Sequence, residues 1–111
     1  FVADTVAGFV AAAGSDAALG EVVNLGSGRE VSIGDLAALL MKIVGKDIPI
    51  ETRDERKRPA GSEVERLLAD PGKARELLGW QSQISLEEGL GRTVTWIEAH
   101  RELYRPEEYK V

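Results

Sequence analysis

Apolar positions recur in short blocks along the chain, and the spacing within each block predicts its element. Val6, Phe9, Val10 and Ala13 fall at i, i+3, i+4 and i+7, the signature of one helix face. Asp4 stands where a cap belongs, Gly14-Ser15-Asp16 ends the run, and Phe1-Val2-Ala3 before it reads as the end of a strand. Glu21-Val22-Val23-Asn24-Leu25 is expected to be a buried strand stopped by Gly26-Ser27-Gly28. A second helix opens at Ser32, with Asp35 completing a capping box, and its apolar face is Ile33, Leu36, Ala37, Leu40, Ile43 and Val44 before a Gly45 cap. Ile48-Pro49-Ile50-Glu51-Thr52 is expected to be a short edge strand, because Pro49 cannot donate to a ladder.

Further on, Asp70-Pro71 predicts the start of a third helix, with Ala74, Leu77 and Leu78 facing inward and Gly79 as its stop. Ser85 and Glu88 form a capping box for the last helix, along which Leu86, Leu90, Val94 and Ile97 recur. The stretch 104–111 reads as a loosely attached tail. The expected class is α/β (mixed α+β): about four helices and two or three short strands in a single domain over residues 1–111.

Composition narrows the function classes. Hydrophobic residues make up 43% and charged residues 30% of 111 positions, which argues against a disordered chain. A net charge of −5 does not suit nucleic acid or an anionic membrane. The absence of cysteine excludes disulfides and thiolate metal sites, and the single histidine, His100, cannot build a polyhistidine site, so no metal is expected. No apolar run approaches the ~20 residues of a membrane span, and no basic leader precedes an apolar stretch, so a cytoplasmic protein is expected. Phe1 stands where a methionine would open a whole chain, so a fragment is expected.

No self-contained active site emerges. His100 is alone on the last helix and is expected to be solvated or partly packed. Gly26-Ser27-Gly28 invites a dinucleotide reading, but the third glycine position is Val31 and the helix is expected only from about Ser32, so a tight turn with positive φ is the expectation. The charged stretch is more informative. Arg53, Arg56, Lys57 and Arg58 precede Pro59-Ala60-Gly61 and Ser62-Glu63-Val64. An arginine fork beside a turn can grip a phosphate bidentately, and a carboxylate a few residues on can accept both ribose hydroxyls. The competing reading is a solvated loop with ion pairs contributing ~0–1 kcal/mol each.

Five segments, in order, resemble the extended short-chain dehydrogenase/reductases, the nucleotide-sugar epimerases and dehydratases. Asp4-Thr5-Val6-Ala7-Gly8 resembles their helix entry, and Val23-Asn24-Leu25-Gly26-Ser27-Gly28 with Val31-Ser32-Ile33 and Asp35-Leu36 looks like their N-x-G-S-G-x-x-x-S-I-x-D-L run. Arg58-Pro59-Ala60-Gly61-Ser62-Glu63-Val64 resembles the R-P-x-x-S-E-V of 4,6-dehydratases. Asp70-Pro71-Gly72-Lys73-Ala74 with Leu78-Gly79-Trp80, and then Leu86-Glu87-Glu88-Gly89-Leu90 with Thr93 and Trp96, match the closing motifs. The resemblance implies that this is the C-terminal, substrate-binding part of such an enzyme. Arg58 would hold the diphosphate and Glu63 the ribose hydroxyls of a nucleotide-sugar, bound weakly in isolation, while Asn24 and Trp80 would be structural.

The family's N-terminal Rossmann domain carries the NAD site and a Tyr-x-x-x-Lys pair. Neither motif is present here: Tyr104 is followed four residues on by Glu108, and only two residues follow Tyr109. The resemblance therefore implies no catalytic residue and no cofactor site in this chain, with NAD belonging to the parent enzyme. It also implies an exposed apolar docking face, whose partner is the missing Rossmann domain or a second copy in a homodimer. The alternative is an autonomous self-associating interaction module derived from such an enzyme.

Overall fold

The computed structural model describes residues 1–51 and 66–104. Four helices follow one another: α1 (Val2–Ala13), α2 (Ile33–Val44), α3 (Gly72–Leu78) and α4 (Leu86–Ala99), with short 3-10 turns at Asp16–Ala18 and Arg101–Leu103. The expected α/β class does not hold for the described residues, among which there is no strand. Residues 21–25 lack regular structure, and Val22 is 81% exposed instead of buried. Residues 48–51 likewise pair with no ladder, while Thr52 lies outside the described residues. Hydrophobic pattern alone cannot make a strand: its N–H and C=O groups need a neighbouring strand. The 21–26 stretch is instead held through side chains, with Leu25 lying against Gly8 and Gly26 against Ala69. Asn24 is an exposed residue of this stretch rather than a polar link in a strand.

Helix ends follow local chemistry closely. The Ser32 hydroxyl accepts from the Asp35 amide at 3.0 Å and donates to the Asp35 carboxylate at 2.7 Å. The Ser85 hydroxyl accepts from the Glu88 amide at 3.1 Å, although the Glu88 carboxylate turns forward to Arg92 at 2.6 Å rather than back to the cap. Gly45 and Gly79 close α2 and α3 at φ 69° and 61°, a left-handed conformation that costs glycine nothing. α3 opens one residue later than expected, with Pro71 rather than Asp70 at its N-cap position, and Asp70 just ahead of it accepts from the Gly72 amide at 2.8 Å. Ala74 is fully buried and Leu77 and Leu78 are half-buried, so α3 faces inward as its pattern predicts.

α1 departs from expectation both in where it starts and in which face it buries. Phe1 is its N-cap position and Val2-Ala3 are helical, so the strand stub is absent. Asp4 sits inside the first turn, where a carboxylate favours the helix N-terminus, but its side chain leaves the helix. It accepts from the Ser82 hydroxyl (2.9 Å) and from the Gln83 and Ile84 amides (3.1 Å each), while its own carbonyl accepts from the Trp80 indole N–H at 2.9 Å. Asp4 is thereby buried at 6% exposure and Trp80 at 7%.

That attachment sets the roll of the helix. Asp4 and Gly8 face the interior, and Ser15 beyond the C-terminus donates to the Leu77 carbonyl at 2.9 Å. The face expected to be buried points out: Val2, Val6, Phe9 and Val10 are 66%, 55%, 69% and 68% exposed. At the N-terminus, Phe1 packs on Gly89 of α4, under the Arg92 guanidinium at 5.7 Å. α2 packs on α4 and α3 on α1, so two helix pairs meet around Trp80 and residues 82–84.

Loss of solvent pulls the Asp4 carboxyl upward, but the Gln83, Ile84 and Ser82 hydrogen bonds outweigh it and hold the group below its ordinary 3.8. A carboxyl lowered on folding stabilises the folded state above its unfolded value and loses that contribution as pH falls through the folded value. Asp4→Ala is expected to lower the thermal midpoint by about 5–10 °C. Asp4→Asn should lower it less, and the gap between wild type and Asp4→Asn should close as pH falls below 3.8. Circular-dichroism melts between pH 2 and 7 check both outcomes; a midpoint indifferent to Asp4→Ala would show that the carboxylate holds nothing together.

Candidate functional site

The two residues expected to grip the nucleotide, Arg58 and Glu63, lie outside the described residues, as do Arg53, Arg56 and Lys57. So does the tail beyond Tyr104. The described chain resumes at Arg66, after the Arg58–Glu63 segment, beside the turn at residues 26–30. Gly28 bends the chain at φ 69°, and the Ser27 hydroxyl accepts from the Arg29 amide at 3.3 Å. A Cβ on Gly26 would lie 2.6 Å from the Ala69 Cβ, and one on Gly28 would touch Pro71 at 3.8 Å. Glu30 then reaches Arg66, the first described residue after the segment, through a two-pronged pair: Nη2 to Oε1 at 2.5 Å and Nε to Oε2 at 3.0 Å.

Between this turn, the first turn of α2 and residues 82–87 lies a cleft of about 580 Å³, walled by Arg29, Glu30, Val31, Asp35, Ile84 and Leu86. Its carboxylates are largely engaged, Glu30 by Arg66 and Asp35 by the Ser32 hydroxyl. On α3, Lys73 binds Glu21 at 2.6 Å, and that hydrogen bond and charge hold the Glu21 carboxyl below its ordinary 4.5. No group of three or more histidine or acidic residues is placed to hold a metal among the described residues. Nor is any described helix long and apolar enough to cross a membrane.

The Gly26-Ser27-Gly28 turn does not fit a dinucleotide. In such a cradle the helix follows the glycines at once and aims its free amides at the pyrophosphate. Here α2 starts only at Ile33, and the Asp35 amide of its first turn is taken by Ser32. The glycines answer a different need, close approach to Ala69 and a positive φ. His100 is partly packed, its ring stacked on Trp96 at 4.4 Å with Nδ1 2.8 Å from the Trp96 carbonyl.

With the geometry in place, comparison with known proteins decides the family. The model of GDP-mannose 4,6 dehydratase matches residues 1–93. The chain belongs to this family of nucleotide-sugar epimerases and dehydratases. It is 37% identical over 86 residues to a UDP-glucuronate 4-epimerase of Thermodesulfobacterium geofontis, covering 77% of this chain and 25% of that protein. It is 39% identical over 94 residues to a UDP-glucose 4-epimerase of Mycolicibacterium smegmatis (85% and 28%) and 35% over 102 residues to UDP-glucuronic acid decarboxylase 1 of Xenopus tropicalis (92% and 23%). The chain thus spans about a quarter of the length of the curated relatives it matches. No solved structure matches it.

Four residues that carry the family resemblance prove to be ties between segments. Asp4 binds 82–84, Trp80 binds Asp4, Lys73 binds Glu21, and Gly26 admits Ala69. The Glu30–Arg66 pair escaped sequence reasoning, because nothing local relates two charges 36 residues apart. The Gly26 contact is directly testable. Gly26→Ala is expected to cost about 1 kcal/mol, the low end for overpacking because Ala69 lies on an exposed stretch that can yield. Adding Ala69→Gly should recover the loss in urea melts; equal stability of Gly26→Ala and wild type would show that the approach is not tight.

Proposed function

We propose that this chain is the substrate-binding part of an NAD-dependent nucleotide-sugar epimerase or 4,6-dehydratase, acting in the cytoplasm and inactive by itself. The observation that carries this reading is the family match over residues 1–93, which includes the Arg58-to-Val64 motif. Relatives named for UDP- and GDP-sugar chemistry support the ligand class. Arg58 supplies the bidentate fork for the diphosphate and Glu63 accepts the ribose hydroxyls. The nicotinamide and the proton-abstracting pair belong to a nucleotide-binding part, since neither a G-x-x-G-x-x-G nor a Tyr-x-x-x-Lys occurs in these 111 residues.

Affinity of the chain alone is weak. One charge-assisted arginine contact contributes ~1.5–3 kcal/mol, against ~1–2 kcal/mol for each loop residue ordered on binding. The expected dissociation constant for UDP or GDP is no better than ~1 mM, about −4 kcal/mol. Amide-shift titrations should saturate in that range, Arg58→Ala should abolish them, and Glu63→Ala should remove the preference for ribose over deoxyribose. With NAD and UDP-, GDP- and dTDP-sugars the chain should give no keto-sugar or epimer. Turnover above buffer, or shifts indifferent to both substitutions, would sink the reading.

The outward face of α1 supports a docking role. Val2, Val6, Phe9 and Val10 form an apolar stripe on a chain that, among its described residues, buries only Ala74 and Trp80 as apolar side chains. In a protein of the relatives' length the nucleotide-binding part covers this stripe; in the 111-residue chain a second copy does so, as a homodimer. Sedimentation velocity at micromolar concentration should show a dimer that Phe9→Asp returns to monomer. A wild-type chain that remains monomeric there would overturn the docking assignment.

A further inference from the structure

Helix α1 has two opposed faces, and the one turned inward is the less apolar. Asp4 and Gly8 are buried and Ala11 and Ala12 half-buried, whereas Val2, Val6, Phe9 and Val10 stand between 55% and 69% exposed. At about 100° per residue the two sets lie on opposite sides of the helix. Burying valine and phenylalanine removes more apolar surface from water than burying alanine and glycine, so hydrophobicity by itself favours the other roll. Something must hold α1 against that preference.

The Asp4 carboxylate has the geometry to do so. Its Oδ1 accepts from the Gln83 amide at 3.1 Å, and its Oδ2 from the Ser82 hydroxyl at 2.9 Å and the Ile84 amide at 3.1 Å. All three donors lie outside α1, so together they fix the rotation of the helix about its axis as well as its distance. Turning the helix over would strip a buried carboxylate of every one of them, which is costly. One turn on, Gly8 favours the same roll, because its missing side chain lets Leu25 lie against the helix.

We propose that Asp4 is a positioning residue for self-association: its carboxylate holds α1 rolled so that Val2, Val6, Phe9 and Val10 face a second copy of this chain, and its loss lets that stripe turn into the chain's own interior. This rests on the assignment of the stripe to docking. Asp4 itself, buried on the opposite face, touches no second copy; it acts through the roll of the helix.

The chain has no cysteine, so a single introduced thiol reports the roll. Val6→Cys sits on the outward face and Ala11→Cys on the inward one. In the 111-residue chain, diluted until sedimentation shows monomer, Val6→Cys is expected to react with a maleimide about tenfold faster than Ala11→Cys. Adding Asp4→Ala should close or invert that gap. Without the probes, Asp4→Ala should weaken dimerisation about tenfold or more, since only a minor fraction of chains keeps the docking roll. Ser82→Ala removes one of the three donors and should move both readouts the same way by about threefold, which decides the matter if Asp4→Ala does not fold. Gly45→Ala strains the left-handed stop of α2 and should lower the melting midpoint while moving neither readout. The positioning role is overturned if thiol order or dimer affinity is unchanged in the folded variants, or if Gly45→Ala moves both readouts as far as Asp4→Ala. Phe9→Asp separates the two claims: if it gives monomer while Asp4→Ala and Ser82→Ala remain dimeric, the docking assignment stands and the positioning role falls. If wild type is monomeric at micromolar concentration, or its dimer survives Phe9→Asp, both fall together.

Discussion

The structure hangs on one carboxylate. Asp4 joins the start of α1 to residues 82–84, almost at the other end of the described chain, through three hydrogen bonds, and the Trp80 indole secures the same spot through the Asp4 carbonyl. A buried carboxylate is costly unless its oxygens are satisfied, and here both accept. Because the donors come from a stretch just ahead of the Ser85 cap, the knot also fixes where α4 begins and how Phe1 reaches Gly89. Everything that α1 presents outward follows from this: rolling Asp4 and Gly8 inward leaves Val2, Val6, Phe9 and Val10 no course but solvent or a partner.

What could be read in advance divides along the range of the interaction. The caps at Ser32 and Ser85 and the left-handed stops at Gly45 and Gly79 involve residues within a few positions of each other, and all four stand where the sequence put them. The strands expected at 21–25 and 48–52 depend on a ladder that the pattern itself cannot supply, and α1 shows the same limit in another form. Its spacing identified an apolar face correctly and its burial incorrectly. Periodicity says which residues lie together, whereas the far-off donors at 82–84 decide which way they point. Of the candidate site, the Gly26–Gly28 turn was legible from its glycines, its partner Ala69 and the Glu30–Arg66 pair were not, and Arg58 and Glu63 lie outside the described residues.

Motif likeness and chemical role are different things in this chain. Asp4, Lys73 and Trp80 each lie in a segment that matches the family, yet each is spent on joining one stretch of the chain to another. A family recognised through such residues is recognised by its scaffold. That is why the match supports a shared framework more firmly than a shared substrate, and why relatives named as epimerases, a decarboxylase and GDP-L-fucose synthases can all align over 68–92% of this chain.

The Gly26–Glu30 turn is joined to residues 66–71 through the smallest side chains available, glycine against Ala69 and Pro71, and one charged pair. Small residues let the two backbones approach closely, and the pair then sets direction where the backbones part. The same division recurs at the other end of the molecule. Gly8 admits Leu25 at close approach, and four residues earlier on the same helix Asp4 directs α1 onto residues 82–84.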